Sequence, residues 1–415
     1  MNEIRDLIIG IDFGKEYTQM CYYDRQAEEP RSFSMKVGGS QYEIPTCLCR
    51  RTEQKDYKIG LEAEYFTREK KGIMIENLYE ICQKEEPVLV AGEEIEPWRL
   101  VAGFLEGILK FLGIRHIAKN TKCLTITVPE LTKIQVQNLK KACEYLEFPG
   151  GKYVFLDYNE SFYYYVLTQQ KETWNRSVGW YTFSGNHVEF KKLVFSGMTR
   201  PVMVKMEGGE SVELPEKEED RDDAFTAFIK KTLGRELFSS IQITGEGFSE
   251  EWAKRAINVL CFQRRKVYYG NNLFAKGACA AGKEKMEDKR LKGYLYMSSA
   301  LVMMNVGMDM RVMGAPTYYP LIEAGKNWYE CEKQCDFILD HMTELNFITE
   351  KMEGSEKKRV IMELPELPER PNRTTRLRMK LQYISANECE IVVRDMGFGD
   401  MYPSIGKVWK EIIEW

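Results

Sequence analysis

From Leu7 to about Gly282 short apolar runs alternate with amphipathic stretches, and three of the runs end in glycine turns: Asp12-Phe13-Gly14, Phe183-Ser184-Gly185 and Gly245-Glu246-Gly247. Such runs are buried strands and the stretches between them are the helices that cover them, so the alternation dictates an α/β body. Beyond Asn305 the texture changes to short strand-like runs separated by Pro and Gly, the pattern of a second, mostly β domain. Within 415 residues this divides the chain into a body over 1–282, a connecting segment over 283–304 and a β domain over 305–415. In the connector a charged stretch, Glu287 to Lys292, precedes a largely apolar one from Leu295, a pattern open to a stiff amphipathic helix that Gly293 opposes.

Within the body the pattern places strands at 7–14, 18–23, 123–128, 153–156 and 241–244, with paired strands over 177–197 around Ser184-Gly185-Asn186. Helical spacing predicts helices over 61–70, 97–112, 133–146, 159–169 and 224–237. The all-charged run Glu216 to Asp223 reads as a solvated loop. The aromatic run Phe162-Tyr163-Tyr164-Tyr165 and the cluster of methionines from Met297 to Met313 both read as core.

Charge narrows the partners. Lys and Arg number 59 against 63 Asp and Glu, a formal net charge of −4, which gives no electrostatic reason to expect nucleic acid or an anionic membrane. No apolar run is long enough to span a bilayer, and the charged start has no apolar signal region. Eleven cysteines spread from Cys21 to Cys389 do not form a secreted disulfide framework in a chain of this size, so a reduced, cytoplasmic protein is expected. His116, His187 and His341 lie far apart in sequence. Cys47-x-Cys49, and Cys331-x3-Cys335, one turn apart if helical, each lack a second pair at zinc spacing.

Glycine lets backbone amides approach a phosphate, and a strand-end carboxylate such as Asp12 can hold a hydrated divalent cation. A tight turn asks for the same glycines, and a carboxylate also caps a turn, so each motif alone carries little. Together their order resembles the actin and DnaK-type chaperone superfamily of ATPases. Ile8-Ile9-Gly10-Ile11-Asp12-Phe13-Gly14 is similar to that family's first phosphate motif, and Val128-Pro129-Glu130 to its strand-helix pair before the first connecting segment. Asn159-Glu160-Ser161 falls where the family has Asn-Glu-Pro. Ile243-Thr244-Gly245-Glu246-Gly247 resembles the adenosine motif, and Asn272 to Ala280 the trailing helix that reads Ala-Val-Ala-Lys-Gly-Ala-Ala. Met308 to Trp328, Leu364 to Pro371 and the strand pair Leu377 to Asp395 resemble the chaperone's β-sandwich peptide-binding domain. The likeness covers most of the chain and extends to a group of bacterial DnaK-like proteins of unknown function.

The resemblance implies an actin-like, ribonuclease H-like ATPase body followed by a β-sandwich. It implies a nucleotide site at Asp12, Gly14, Gly185, Gly245 and Gly247, with Mg²⁺ on Asp12 through water, Asp12 and Glu160 as catalytic candidates, and a protein or peptide partner on the β domain. The departures point elsewhere. Thr182 stands at the Asp of the second phosphate motif, and threonine cannot orient hydrated metal and attacking water. Glu76 falls at the catalytic lysine and would repel a triphosphate. The 62 positions from Thr182 to Thr244 leave no room for the lobe forming one side of the adenine clamp. The chain stops at Trp415, soon after the strand pair, without the family's helical lid. The expectation is a DnaK-like pseudo-chaperone or protein-binding scaffold with a degenerate nucleotide site that binds ATP or ADP, with Mg²⁺, weakly or not at all. Two readings compete with it: an ATP-dependent chaperone in which hydrolysis gates peptide binding, and an actin-like assembly protein.

Overall fold

The computed structural model describes residues 6–34, 42–270, 272–352, 354 and 357–415. The chain divides into two compact units, Met1–Met297 and Ser298–Trp415.

The N-terminal unit holds two mixed sheets. Strand β1 (Leu7–Phe13) is apolar apart from Asp12 and buried from Ile8 onward, which requires neighbours on both edges and cover on both faces. It pairs antiparallel with β2 (Tyr17–Asp24), which pairs with β3 (Glu29–Ser32). An excursion over residues 44–95 follows, with short strands Leu48–Arg51, Tyr57–Lys58 and Gly72–Ile75 and helix Gly60–Arg68. Helix α1 (Pro97–Lys110) leads to β4 (Thr121–Val128), α2 (Lys133–Tyr145), β5 (Tyr153–Asp157) and α3 (Tyr158–Leu167). The sheet runs β5-β4-β1-β2-β3, with β4 and β5 parallel to β1.

The second half repeats this plan. Strands β6 (Ser177–Ser184), β7 (His187–Ser196) and β8 (Val202–Glu213) form an antiparallel meander. Helix α4 (Glu218–Leu233), β9 (Phe238–Glu246), α5 (Lys254–Leu260), β10 (Lys266–Tyr269) and α6 (Leu273–Lys283) follow, with β9 parallel to β6 and β10 parallel to β9. Each half is thus three antiparallel strands, then helix, strand, helix, strand, helix. Only residues 214–217 lie between β8 and α4, so the second half has no counterpart of the excursion. The closing helices meet at Gly277, where a Cβ would sit 2.1 Å from Ser161 O, and Ser161 Oγ donates to Phe274 O at 2.7 Å.

Two expectations change here. The run Glu216 to Asp223 is not a loop: α4 begins inside it, because acidic side chains favour a helix N-terminus. Asp222 is buried, and its carboxylate accepts the Arg255 and Ala256 N–H groups at 2.8 Å each, capping α5. Residues 283–297 belong to the body rather than to a connector. Glu284–Asp288 continues α6 as a wide turn, pinned where Arg25, Lys122 and Lys283 converge on Glu287. Strand β11 (Tyr294–Tyr296) then joins the second sheet beside β8, because Tyr296 is buried against Tyr163. The expected amphipathic helix does not form.

The C-terminal unit is a sandwich of two antiparallel four-stranded sheets. Strands β12 (Met304–Val312), β13 (Ala315–Ile322), β14 (Glu332–Ile338), β15 (Glu344–Lys351) and β16 (Lys357–Glu363) precede β17 (Arg376–Ser385), β18 (Glu388–Asp395) and β19 (Val408–Glu414). The sheets run β13-β12-β15-β16 and β14-β17-β18-β19. Alternate residues of β17 and β18, such as Leu377, Met379, Ile391 and Val393, face Val306, Met308 and Phe347 across one core. Of the methionine cluster Met304 and Met308 are buried, whereas Met313 is fully exposed at the β12–β13 turn. Cys335 lies in β14 with Cys331 just before it, so the two share no helical face. Among the described residues no helix is long and apolar enough to cross a membrane.

Candidate functional site

Asp12 lies near the end of β1, and pairing on both edges leaves it 5% exposed. A carboxyl so placed must find donors or keep its proton. Tyr158 supplies one donor, its hydroxyl 2.7 Å from Asp12 Oδ1. Burial outweighs that bond and pushes the Asp12 carboxyl up to about 7, so near neutral pH it is only partly ionised. Burial, together with the neighbouring Asp12, drives the Tyr158 phenol well above its ordinary range, and it remains a donor.

Tyr158 is placed by the start of α3. Asp157 is the N-cap, accepting the Glu160 N–H at 2.7 Å, which fixes the first turn. The Tyr158 ring lies flat on Phe274 of α6, centroids 3.7 Å apart and planes 4° from parallel. Phe274 meets Trp180 of β6 edge-on at 5.5 Å, Trp180 stacks on Phe162 at 4.8 Å, and Trp180 Nε1 donates to Thr244 Oγ1 at 2.8 Å. A continuous chain of rings therefore runs from Asp12 in one sheet to β9 in the other.

The expected site residues fall into two groups. Asp12, Gly14 and Glu160 gather around Tyr158: a Cβ on Gly14 would lie 3.2 Å from the Tyr158 hydroxyl, and Glu160 is buried on the same helical turn. Gly185, Gly245 and Gly247 pack on one another instead. Gly185 N–H donates to Glu246 O at 2.9 Å, a Cβ on Gly245 would be 1.8 Å from Phe183 O, and one on Gly247 would be 2.2 Å from Gly185 O. All three have positive φ, so turn geometry and close backbone packing account for them without a ligand. Thr182 pairs with Thr244 and Glu189 in the sheet, and Glu76 is exposed in the excursion.

A hydrated cation at Asp12 would share the carboxyl with the Tyr158 hydroxyl, which already donates to Oδ1. Among the described residues no group of three or more His, Cys, Asp or Glu side chains could hold a metal ion. The residues that decide the site, Tyr158, Trp180 and Phe274, were not singled out by the sequence. Each adjoins or interrupts one of the motifs, and a large ring there was the legible signal. Phe162 and Tyr163, which did draw notice, are buried in the core, with Tyr164 and Tyr165 half-buried beside them.

These elements define a class: an α/β body of two halves with the same strand and helix order and aromatic rings packed between their sheets, followed by an antiparallel β-sandwich. The chain belongs to a family of unknown function, since the description "Family of unknown function (DUF5716) C-terminal" matches residues 29–299. A second description, "Domain of unknown function (DUF8552)", matches residues 301–415, and the two matches meet beside the division between the units. No curated protein matches the chain.

Proposed function

We propose that this protein is a non-catalytic scaffold built on an actin- and chaperone-type body whose nucleotide site is closed, and that it engages a protein or peptide through the β-sandwich. The observation that carries the reading is the Tyr158 ring, hydrogen-bonded to Asp12 and stacked on Phe274. The strand order of each half, with glycine turns at the ends of β1, β6 and β9, supports the actin-type body. Thr182, Glu76 and the four-residue link 214–217 support the loss of chemistry, because each lacks a part that phosphoryl transfer needs. For the partner, support comes from the edge strands: β16 exposes Ile361 beside Lys357, Lys358 and Arg359, a strand edge on which an extended segment can add main-chain hydrogen bonds.

Calorimetric titration with Mg-ATP and Mg-ADP tests the reading, with Asp12→Ala as control. The expected result is no binding heat from the wild-type protein. Micromolar binding that Asp12→Ala abolishes overturns the scaffold reading in favour of an ATP-dependent chaperone.

A further inference from the structure

Among the described residues the C-terminal sandwich has four strands with a neighbour on one edge only. On one side lie β13 and β14, where Lys333 sits over the Tyr319 ring at 5.9 Å, and on the other β16 and β19, where Trp409 Nε1 donates to Pro365 O at 2.8 Å. An open edge invites another strand unless its residues oppose pairing. Pro316 and Pro320 remove donors from β13, and two copies of β14 paired about Gln334 would set Glu332 against Asp336.

The β16 and β19 edges carry a pattern that fits itself. Arg359-Val360-Ile361-Met362-Glu363 and Lys410-Glu411-Ile412-Ile413-Glu414 each set a base, an isoleucine and an acid at alternate positions, and all six of these side chains are exposed on the outer face. Leu364 N–H donates inward to Thr343 O, and Trp415 N–H to Asn387 O. Bonding alternates along an antiparallel strand, so residues 359, 361 and 363 of β16 and 410, 412 and 414 of β19 turn their main-chain groups to the open edge. Glu363 lies opposite Glu344 of β15, and Glu414 opposite Glu388 of β18. Among the described residues no ion pair reaches any of these four carboxylates, so each edge holds like charges that a cation from outside would relieve.

We propose that a second copy of this chain docks here, β19 antiparallel to its own counterpart and β16 to its own, about a two-fold axis passing Ile412 and Ile361. In that register Ile412 meets the partner's Ile412, Lys410 the partner's Glu414, and Arg359 the partner's Glu363. Each unrelieved acid gains a base, and both sheets continue across the interface. Because each edge meets itself, association closes at two copies. The inference rests on the reading of β16 as a pairing edge, names its occupant and does not depend on the Asp12 site.

Sedimentation equilibrium of the full chain from ~1 to ~100 μM tests it, the range suited to an interface of a few strands. The expected result is a monomer in equilibrium with a dimer, weakened at least ~10-fold by Lys410→Glu and by Glu414→Lys, and recovered when the two reversals are combined. Ile412→Lys, which puts like charges on the axis, should weaken it as well. All three side chains are exposed, so thermal melting of each variant serves as the fold control. A monomer at ~100 μM overturns the proposal and leaves the β16 edge to a foreign segment, while the calorimetric test of the scaffold reading stands apart. Growth beyond a dimer, a dimer indifferent to the single reversals, or a double variant no better than the singles overturns it equally.

Discussion

Replacing Asp12 by asparagine isolates the electrostatic cost of burying this carboxyl. The Asp12 carboxyl is pushed from 3.8 to about 7 by burial, with Tyr158 pulling the other way. A folded value above the unfolded one means that the native state holds the proton more tightly. Wild-type stability is therefore full below about pH 4 and falls as pH rises through the interval up to about 7. At 1.36 kcal/mol per unit the whole interval is worth ~4 kcal/mol, of which ~2.5 kcal/mol falls between about pH 5 and about pH 8. Asparagine cannot ionise, and its carbonyl still accepts from Tyr158. Any cost of burying its NH₂ group is the same at both pH values, so the pH-dependent part is diagnostic. Urea unfolding of the N-terminal unit in the full chain should show the Asp12→Asn variant gaining ~2.5 kcal/mol on wild type from about pH 5 to about pH 8. A difference that does not change with pH, or changes in the opposite direction, refutes the argument that Asp12 is a proton-retaining carboxyl.

Three further substitutions probe the packing. Burial pushes the Asp395 carboxyl up, but Arg370 at 2.7 and 2.8 Å and the Ile405 and Gly397 N–H groups outweigh it and hold the carboxyl at about 2. Arg370→Ala leaves that charge buried and should cost the C-terminal unit ~3–5 kcal/mol. The wild-type contribution is present above about pH 4 and fades as pH falls toward 2, so chemical unfolding should find the mutant's deficit shrinking in acid. Gly245→Ala places a Cβ on Phe183 O and should cost more than ~2 kcal/mol, whereas Gly92→Ala, also at positive φ but with nothing within 4 Å, should cost only about 1 kcal/mol. Equal losses in denaturation midpoint at the two sites would refute the packing account of the turn glycines.

Much of the fold was legible because its signals are local. The apolar run at β1 and the spacing of Leu100, Phe104 and Ile108 in α1 appear where pattern places them, and the strand pair that the family resemblance implies from Leu377 to Asp395 forms with those two residues opposite each other. The charged run at α4 misled because composition reports solvation while the helix start answers to its dipole and to Asp222, whose partners lie 33 and 34 residues away. The segment after α6 misled likewise, since β8, its partner strand, is some 90 residues earlier in the chain.

Alternating burial and turn chemistry, written within a few residues of each other, were enough to specify a strand-and-helix body, a following β unit, and Asp12 and the glycines at strand ends. What surrounds those strand ends was decided elsewhere. Asp12 and Tyr158 are 146 residues apart, and the ring that fills the space between the sheets is delivered by the crossing of α3 and α6. A carboxyl's charge depends on what surrounds it, and here the surroundings are assembled only when the two halves pack together.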